Sequence, residues 1–389
     1  MNFELAEEHR MLADLVARFV ADELIPLESE ILGREANRLD PHLTRQELDA
    51  LNTKARALGL FGLDAPESVG GADLPEVAMV AVNEHIGSTI TPYILPPDSP
   101  NLRMLLHAAD DRQRAAYVEP YVRGETISAI GISEPGAGSD PAQMKTTAQL
   151  DGDEWVLNGR KIWISRADSA DFTIVMAITD PALGARGGMS AFLVDNDTPG
   201  FNIVRPIPML GGHITFEVEF ENCRVPSWKL LGQEGQGFAP MQIRLGSRRL
   251  EIAASCIGKA QRALNMMCEY APQRTTFGEP LSNRQSIQWW IADAEMAIHA
   301  SRLMVYHAAW KLDQGSDVRN EISMAKVFAT EMAQQTVDHA MQAFGATGMA
   351  LEFPLHAMAN SIRLMRIYDG PSEVHRMVVA RNKLRPYVN

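Results

Sequence analysis

Cysteine is scarce in this chain. Its 389 residues include three, Cys223, Cys256 and Cys268. Three is an odd number, and none of them has Cys-x-x-Cys spacing, so neither a disulfide framework nor a zinc site is expected. Positive charge is outweighed: 36 Lys and Arg face 49 Asp and Glu, a net charge of −13. That balance argues against nucleic acid and against an anionic membrane surface as partners. A polyanionic ligand must then be held by a local basic cluster. No apolar run reaches membrane-spanning length. The opening Met1-Asn2-Phe3-Glu4 has no basic region ahead of an apolar one, so no secretory leader and a cytoplasmic location are expected. Nucleophile-elbow (GxSxG), HExxH, P-loop and GxGxxG motifs are all missing, as are internal repeats and low-complexity tracts.

What remains is an ordinary globular composition, 46% hydrophobic and 22% charged, in a chain long enough for two or three domains. Residues 1–120 read as helical. Leu12, Leu15, Val16 and Phe19 fall at helical spacing in a run expected to stop at Ile25-Pro26. Thr44 to Ala57 repeats the pattern, and another helix is expected from Pro75 to Gly87. In the proline-rich segment Pro92 to Pro100, Asp98 reads first as a turn residue, with lining of a substrate cavity as the alternative. From 121 to 237 the period becomes two, and Phe216, Val218 and Phe220 alternate with acids. Asn158-Gly159 between two apolar runs predicts a tight hairpin. From 238 to 389 long amphipathic segments, Pro240 to Tyr270, Leu281 to Gln314, Val318 to Gly345 and Ser372 to Leu384, predict a helical bundle. The fold class is α+β, in the order helical, antiparallel β, helical.

The stretch from Gly131 to Asp140 (Gly-Ile-Ser-Glu-Pro-Gly-Ala-Gly-Ser-Asp) organises the rest. It follows the apolar run Ile127 to Ile130 and holds residues that neither extend a strand nor open a buried helix. Glycine-rich loops of this kind let a ligand approach the main chain closely. Lys161-Ile162-Trp163-Ile164-Ser165 downstream supplies an apolar-aromatic strand. Arg244, Arg248 and Arg249 near a helix start fit either a phosphate site or solvated charge paired with neighbours such as Glu251. Arg274-Thr275-Thr276-Phe277-Gly278 fits either a phosphate clamp or a helix C-cap. Gln342 to Gly348 alone reads as a C-cap. Tyr368-Asp369-Gly370 places a carboxylate beside an aromatic; in apolar surroundings its pKa rises and it acts as a base. Taken alone, a carboxylate in this position is more often a helix-capping Asp. His213 and His375 are unpaired in sequence and receive no role.

Together these five motifs, in this order over most of the chain, resemble the acyl-CoA dehydrogenase family. The resemblance implies an N-terminal helical domain, a middle β domain and a C-terminal four-helix bundle. It also implies a homotetramer, FAD as cofactor, an acyl-CoA substrate and an electron-transferring flavoprotein as acceptor. By the same resemblance, Ile130, Ile132, Ser133, Gly138 and Ser139 bind FAD, with Trp163, Ile164 and Ser165 against its ring system. Arg274 and Gln342 are implied to contact the FAD of a neighbouring subunit, and Thr276, Phe277, Gln285, Phe344 and Gly345 are also implied as FAD contacts. Pro371, Ser372 and Glu373 are further cofactor contacts. Ser139, Arg249, Gly370 and Arg381 are implied on the substrate side. Asp369 stands where most members carry the catalytic glutamate, and the alternative position for that base holds Arg248. Arg166-Ala167 replaces the usual Asn-Gly. Two other readings belong to different classes: a flavin oxidase resembling nitroalkane oxidase, which also uses an aspartate base, and a non-catalytic flavoprotein scaffold.

Overall fold

The computed structural model describes residues 5–184 and 187–388; Met1 to Glu4, on which the expectation of no leader rests, lie outside them. The chain opens with α1 (Glu7–Phe19), whose Val16 and Phe19 enter a core shared with Leu51, Leu60 and Tyr93. Helical winding does not stop at Pro26. It loosens over Val20–Leu24, tightens over Ile25–Leu27, and resumes as α2 (Glu28–Ala36). Pro26 sits in the first turn of the tight segment, where its missing N–H has no helical partner to lose. Helix α3 (Arg45–Ala57) starts on a capping box, in which the Thr44 hydroxyl accepts from the Glu47 N–H and Glu47 accepts from the Thr44 N–H. Then come α4 (Glu76–Gly87), α5 (Ser99–Ala108) and the short α6 (Asp111–Gln113) and α7 (Glu119–Val122).

Eight strands follow: β1 (Ser128–Gly131), β2 (Thr147–Asp151), β3 (Glu154–Ser165), β4 (Phe172–Ile178), β5 (Met189–Asp195), β6 (Phe201–Pro208), β7 (Ile214–Pro226) and β8 (Leu230–Leu231). They form one sheet in the order β6-β7-β3-β2-β4-β5-β8, mostly antiparallel, with β1 added parallel to β4. β4 is buried along its whole length because both its faces are covered. Ile174 and Met176 pack with Leu102, Leu105 and Tyr121 of the helical region, while Val175 and Ala177 pack with Phe192, Val218 and Phe220.

The expected hairpin at Asn158-Gly159 is not there. β3 runs straight through both residues, and the β2–β3 turn falls instead at Gly152-Asp153. Gly159 answers a different need: a Cβ on it would lie 2.6 Å from the Thr146 Cα.

The bundle is built on α8 (Phe238–Tyr270), with α9 (Gln285–Asp313), α10 (Arg319–Phe344), α11 (Pro354–Met365) and α12 (Ser372–Leu384). α11 was not among the expected helices. Its start at Pro354, a residue suited to a helix's first turn, was the available signal. The N-terminal helices dock on α8 through small residues. A Cβ on Gly258 would come within 1.9 Å of the Glu84 carbonyl oxygen, so only glycine lets α4 approach this closely. Nearby, Arg262 holds Glu28 with two bonds of 2.6 and 2.7 Å.

Candidate active site

A cleft of about 2290 Å³ lies among the N-terminal helices, the sheet and the bundle. Asp369, between α11 and α12, lines it in a left-handed backbone conformation, φ 53°, which Asp tolerates better than most residues. Three groups hold this turn by its carbonyls. Arg249 Nε donates to the Asp369 carbonyl at 2.7 Å. Lys326 Nζ donates to the Gly370 carbonyl at 2.6 Å and to that of Tyr368. His375 Nε2 lies 3.3 Å from the Asp369 carbonyl and its Nδ1 lies 3.1 Å from the Ser323 hydroxyl. The carbonyl only accepts, so the ring carries its proton on Nε2. Burial, with Arg249 and Lys326 beside it, depresses His375 to about 3, so the ring is neutral. Among the described residues nothing accepts from the Asp369 N–H.

The Asp369 side chain keeps 12% of its surface and pairs with Arg244. The expected apolar surroundings are overturned. Burial alone would raise this carboxyl, but Arg244, Arg248, Lys326 and Arg249 outweigh it and hold it below the ordinary carboxylate value. A second chain of charges adjoins it. Arg248, one turn beyond Arg244 on α8, reaches Glu251 and Asp98, each at 2.6 Å. Asp98 also binds Arg166 at 2.6 Å. Burial pushes Glu251 up. Asp98 is therefore no turn residue: it is 5% exposed, makes no side-chain cap to α5, and bridges two arginines. A buried carboxylate needs such partners. Of the two readings of the arginine trio, pairing holds for Arg248 with Glu251, while Arg244 serves Asp369.

On the sheet side, the Gly131 to Asp140 loop is shaped by an ion pair that the sequence reading missed. Lys161, wholly buried on β3, binds Glu134 at 2.8 Å. Glu134 also accepts from the N–H groups of Lys145 (2.6 Å) and Thr146 (2.9 Å). The Ser133 carbonyl accepts from the Ile162 N–H at 2.9 Å. A bulge in β3 against β7, between Lys161 and Ile164, turns Trp163 out with φ 64° and half its surface exposed. A bulky residue in that conformation is a marked exception, and bulges gather at functional sites. At Gly136 and Gly138 a Cβ would meet nothing within 4 Å. Neither glycine has positive φ, so they keep space open beside the loop rather than making a turn. An open loop, a turned-out indole and a large cleft fit a flat, sizeable cofactor.

The residues expected at the site divide into two groups. Ile130, Ile132, Ser133, Gly138, Ser139, Trp163, Ser165, Arg249, Asp369, Gly370, Pro371 and Arg381 line one cleft. Ser165 lies 3.2 Å from His213, giving that histidine a neighbour. Ile164 points into the sheet core instead, and Glu373 is exposed on α12. Ser372 gives its hydroxyl to Glu331 at 2.8 Å. Arg274, Thr276, Phe277 and Gln285 belong to a small hairpin after α8 and the start of α9. Gln342, Phe344 and Gly345 close α10 at the same end of the bundle, where Phe344 stacks on Tyr270 with centroids 4.1 Å apart. Phe277 is 99% exposed.

This chain matches three family models: the acyl-CoA dehydrogenase N-terminal domain over residues 6–125, the middle domain over 129–223, and the C-terminal domain over 235–384. It is 40% identical to (R)-benzylsuccinyl-CoA dehydrogenase of Thauera aromatica, covering 99% of this chain and 97% of that protein. Butyryl-CoA dehydrogenase from Megasphaera elsdenii has the same fold, with TM-score 0.89, 30% identity, and coverage of 99% of this chain and all of that one. So does PigA in complex with FAD and proline, with TM-score 0.89, 29% identity and the same coverage. The chain belongs to the acyl-CoA dehydrogenase family. It is a flavin-dependent oxidoreductase whose cofactor is FAD and whose reaction is acyl-CoA dehydrogenation or a related reduction. No helix among the described residues is long and apolar enough to cross a membrane.

Proposed function

We propose that the chain dehydrogenates an acyl-CoA thioester to the 2-enoyl-CoA, with Asp369 as the base. The observation that carries this is the placement of the Asp369 carboxylate on the same cleft as Ser133, Gly138 and the turned-out Trp163. Asp369 takes the α-proton at its free carboxylate oxygen. FAD supplies the two-electron acceptor for the β-hydride. The unbonded N–H of Asp369 donates to the thioester carbonyl and steadies the developing negative charge. Arg249, Lys326 and His375 keep this turn from relaxing, which matters because a misplacement of ~1 Å can cost ~10²-fold. Ser133, Gly138 and Ser165 would hold the flavin with Trp163 against it, and Ser139 and Arg381 would lie along the CoA arm.

We divide the chain into 1–120, 121–237 and 238–389; the second boundary falls just before α8, and the first lies within the short α7 ahead of β1. Arg274, Phe277, Gln285 and Gln342, gathered away from the cleft, suit a flavin held by a neighbouring copy in a tetramer. An electron-transferring flavoprotein would be the partner that takes up the electrons.

The test is anaerobic mixing of the yellow holoprotein with a panel of acyl-CoAs, read as flavin bleaching near its visible band. Bleaching by a thioester, without turnover on nitroalkanes under oxygen, is expected. A colourless protein that takes up no FAD, or a flavin that no thioester bleaches, overturns the reading.

A further inference from the structure

We infer that the acyl group carries a second carboxylate, close to the reacting carbons, and that Arg244 with Arg166 receives it. This rests on the dehydrogenase reading above and narrows its substrate.

Five cations and three carboxylates gather around Asp369: Arg166 and Arg248 pair with Asp98, Arg248 also with Glu251, and Arg244 with Asp369, while Arg249 and Lys326 bond to backbone carbonyls of the Tyr368–Gly370 turn. Buried charge this uneven is costly without a further anion. Nor are the donors used up. Arg244 Nη1 serves Asp369 and Nε serves Asn101 at 3.2 Å, while Nη2 has no partner among the described residues. Arg166 uses one nitrogen on Asp98, and its side chain is 33% exposed. Both arginines line the cleft. Paired guanidinium donors in a fixed fork suit a carboxylate. Asp98 holds Arg166 and Arg248 in place, and Asn101 holds Arg244. Asn101 is itself fixed by a 2.9 Å bond to Ser128.

The Arg244–Asp369 contact also sets the length. A base must come within roughly 3 Å of the proton it takes, and a charge-assisted bond spans about 2.8 Å. An acid held by Arg244 therefore lies about two to four carbon–carbon bonds from the α-carbon. That is the reach of a succinyl or glutaryl chain, with or without a substituent, and not of a long fatty acid.

The same contact makes recognition part of catalysis. While Arg244 rests on Asp369, the base is held in its least basic state. A substrate carboxylate that draws donors from Arg244 returns basicity to Asp369, and a neutral chain leaves the pair closed. Arg244 is thus a positioning and specificity residue.

The experiment compares flavin bleaching of the holoenzyme by succinyl- and glutaryl-CoA with that by butyryl- and pentanoyl-CoA. Carboxylated chains are expected to be favoured in kcat/KM by about 10²-fold or more, the usual scale for a buried charge pair. Arg244→Gln should collapse that ratio, chiefly by lowering the rate with carboxylated chains, and Arg244→Lys should restore part of it. Arg166→Gln, at the more open edge, should reduce the ratio even if Arg244→Gln proves unstable. Neutral chains that bleach the flavin as fast as the carboxylated ones would overturn this inference and leave the dehydrogenase reading standing. A flavin that no thioester bleaches would overturn both. A ratio unchanged in both arginine variants would overturn the assignment of these residues.

Discussion

Arg244 and Asp369, 125 positions apart in sequence, form an ion pair on the cleft wall. One comes from the long helix α8 and the other from the turn between α11 and α12, so the pair exists only once the bundle has closed. It puts the proposed base against a cation, where apolar surroundings were expected.

The first consequence concerns removal of that base. General-base catalysis contributes about 10²–10⁴-fold, so Asp369→Asn should keep FAD and fold but lose flavin bleaching by that order. Asp369→Glu should also slow the native substrate, because the longer side chain pushes the carboxylate into Arg244 or into the acyl space. Stopped-flow bleaching that is as fast in Asp369→Asn as in the parent would transfer the role elsewhere. Glu251, tied to Arg248, would be next.

The pH dependence follows from the same pair. Burial would raise Asp369, but four cations outweigh it, and its pKa lies below the ordinary 3.8. A base with a depressed pKa stays ionised as pH falls. The kcat/KM profile reports the free enzyme, so it should show no acid limb from Asp369 between about pH 7 and about pH 5. In Arg244→Gln the largest opposing charge is gone, and the limb should move to higher pH. A limb that stays where it was would show that Arg244 does not set the base.

Much of the architecture was legible because it is written in local period. Three-to-four spacing marked the bundle helices, two-residue alternation marked the sheet, and the glycine-rich loop marked a wall of the cleft. Contacts that cross the chain were not legible. Asp98 in a proline-rich segment looks like a turn residue in any local reading, since its two arginines lie 68 and 150 positions away. Lys161 reads as a strand lysine until its depth shows that it must pair with Glu134. Asn158-Gly159 carries the strongest short hairpin signal, yet the close approach of Thr146 uses that glycine for clearance. Arg166 was visible as a departure from the family pattern, and only the fold joins it to Asp98.

Glu134→Gln should loosen the cofactor loop. Lys161 is wholly buried, and burial depresses its amine to about 8 even with the carboxylate beside it. Removing one partner of a buried pair costs roughly 3–5 kcal/mol, so the variant should melt earlier and release FAD more readily. Replacing both residues together, as Glu134→Leu with Lys161→Met, should recover much of the melting temperature without restoring FAD retention. Two N–H groups, those of Lys145 and Thr146, still lose their acceptor. Full FAD retention in the double variant would show that the pair stabilises the sheet without shaping the loop.

The last expectation concerns the far end of the bundle. Phe277, in a left-handed conformation at the tip of its hairpin, leaves 99% of its surface in solvent in the single chain. Aromatic residues are enriched at interfaces between proteins, and Arg274 lies three residues before Phe277. If a second copy brings its FAD to this hairpin, Arg274→Ala removes a charge-assisted bond of about 1.5–3 kcal/mol. FAD retention should then weaken by roughly 10- to 100-fold. Phe277→Ser should weaken both FAD retention and assembly on light scattering. Neither change touches Asp369, so bleaching of the flavin that remains bound should proceed at the parent rate. A monomer that keeps its full complement of FAD would instead place every cofactor contact within one chain and leave the hairpin without that role.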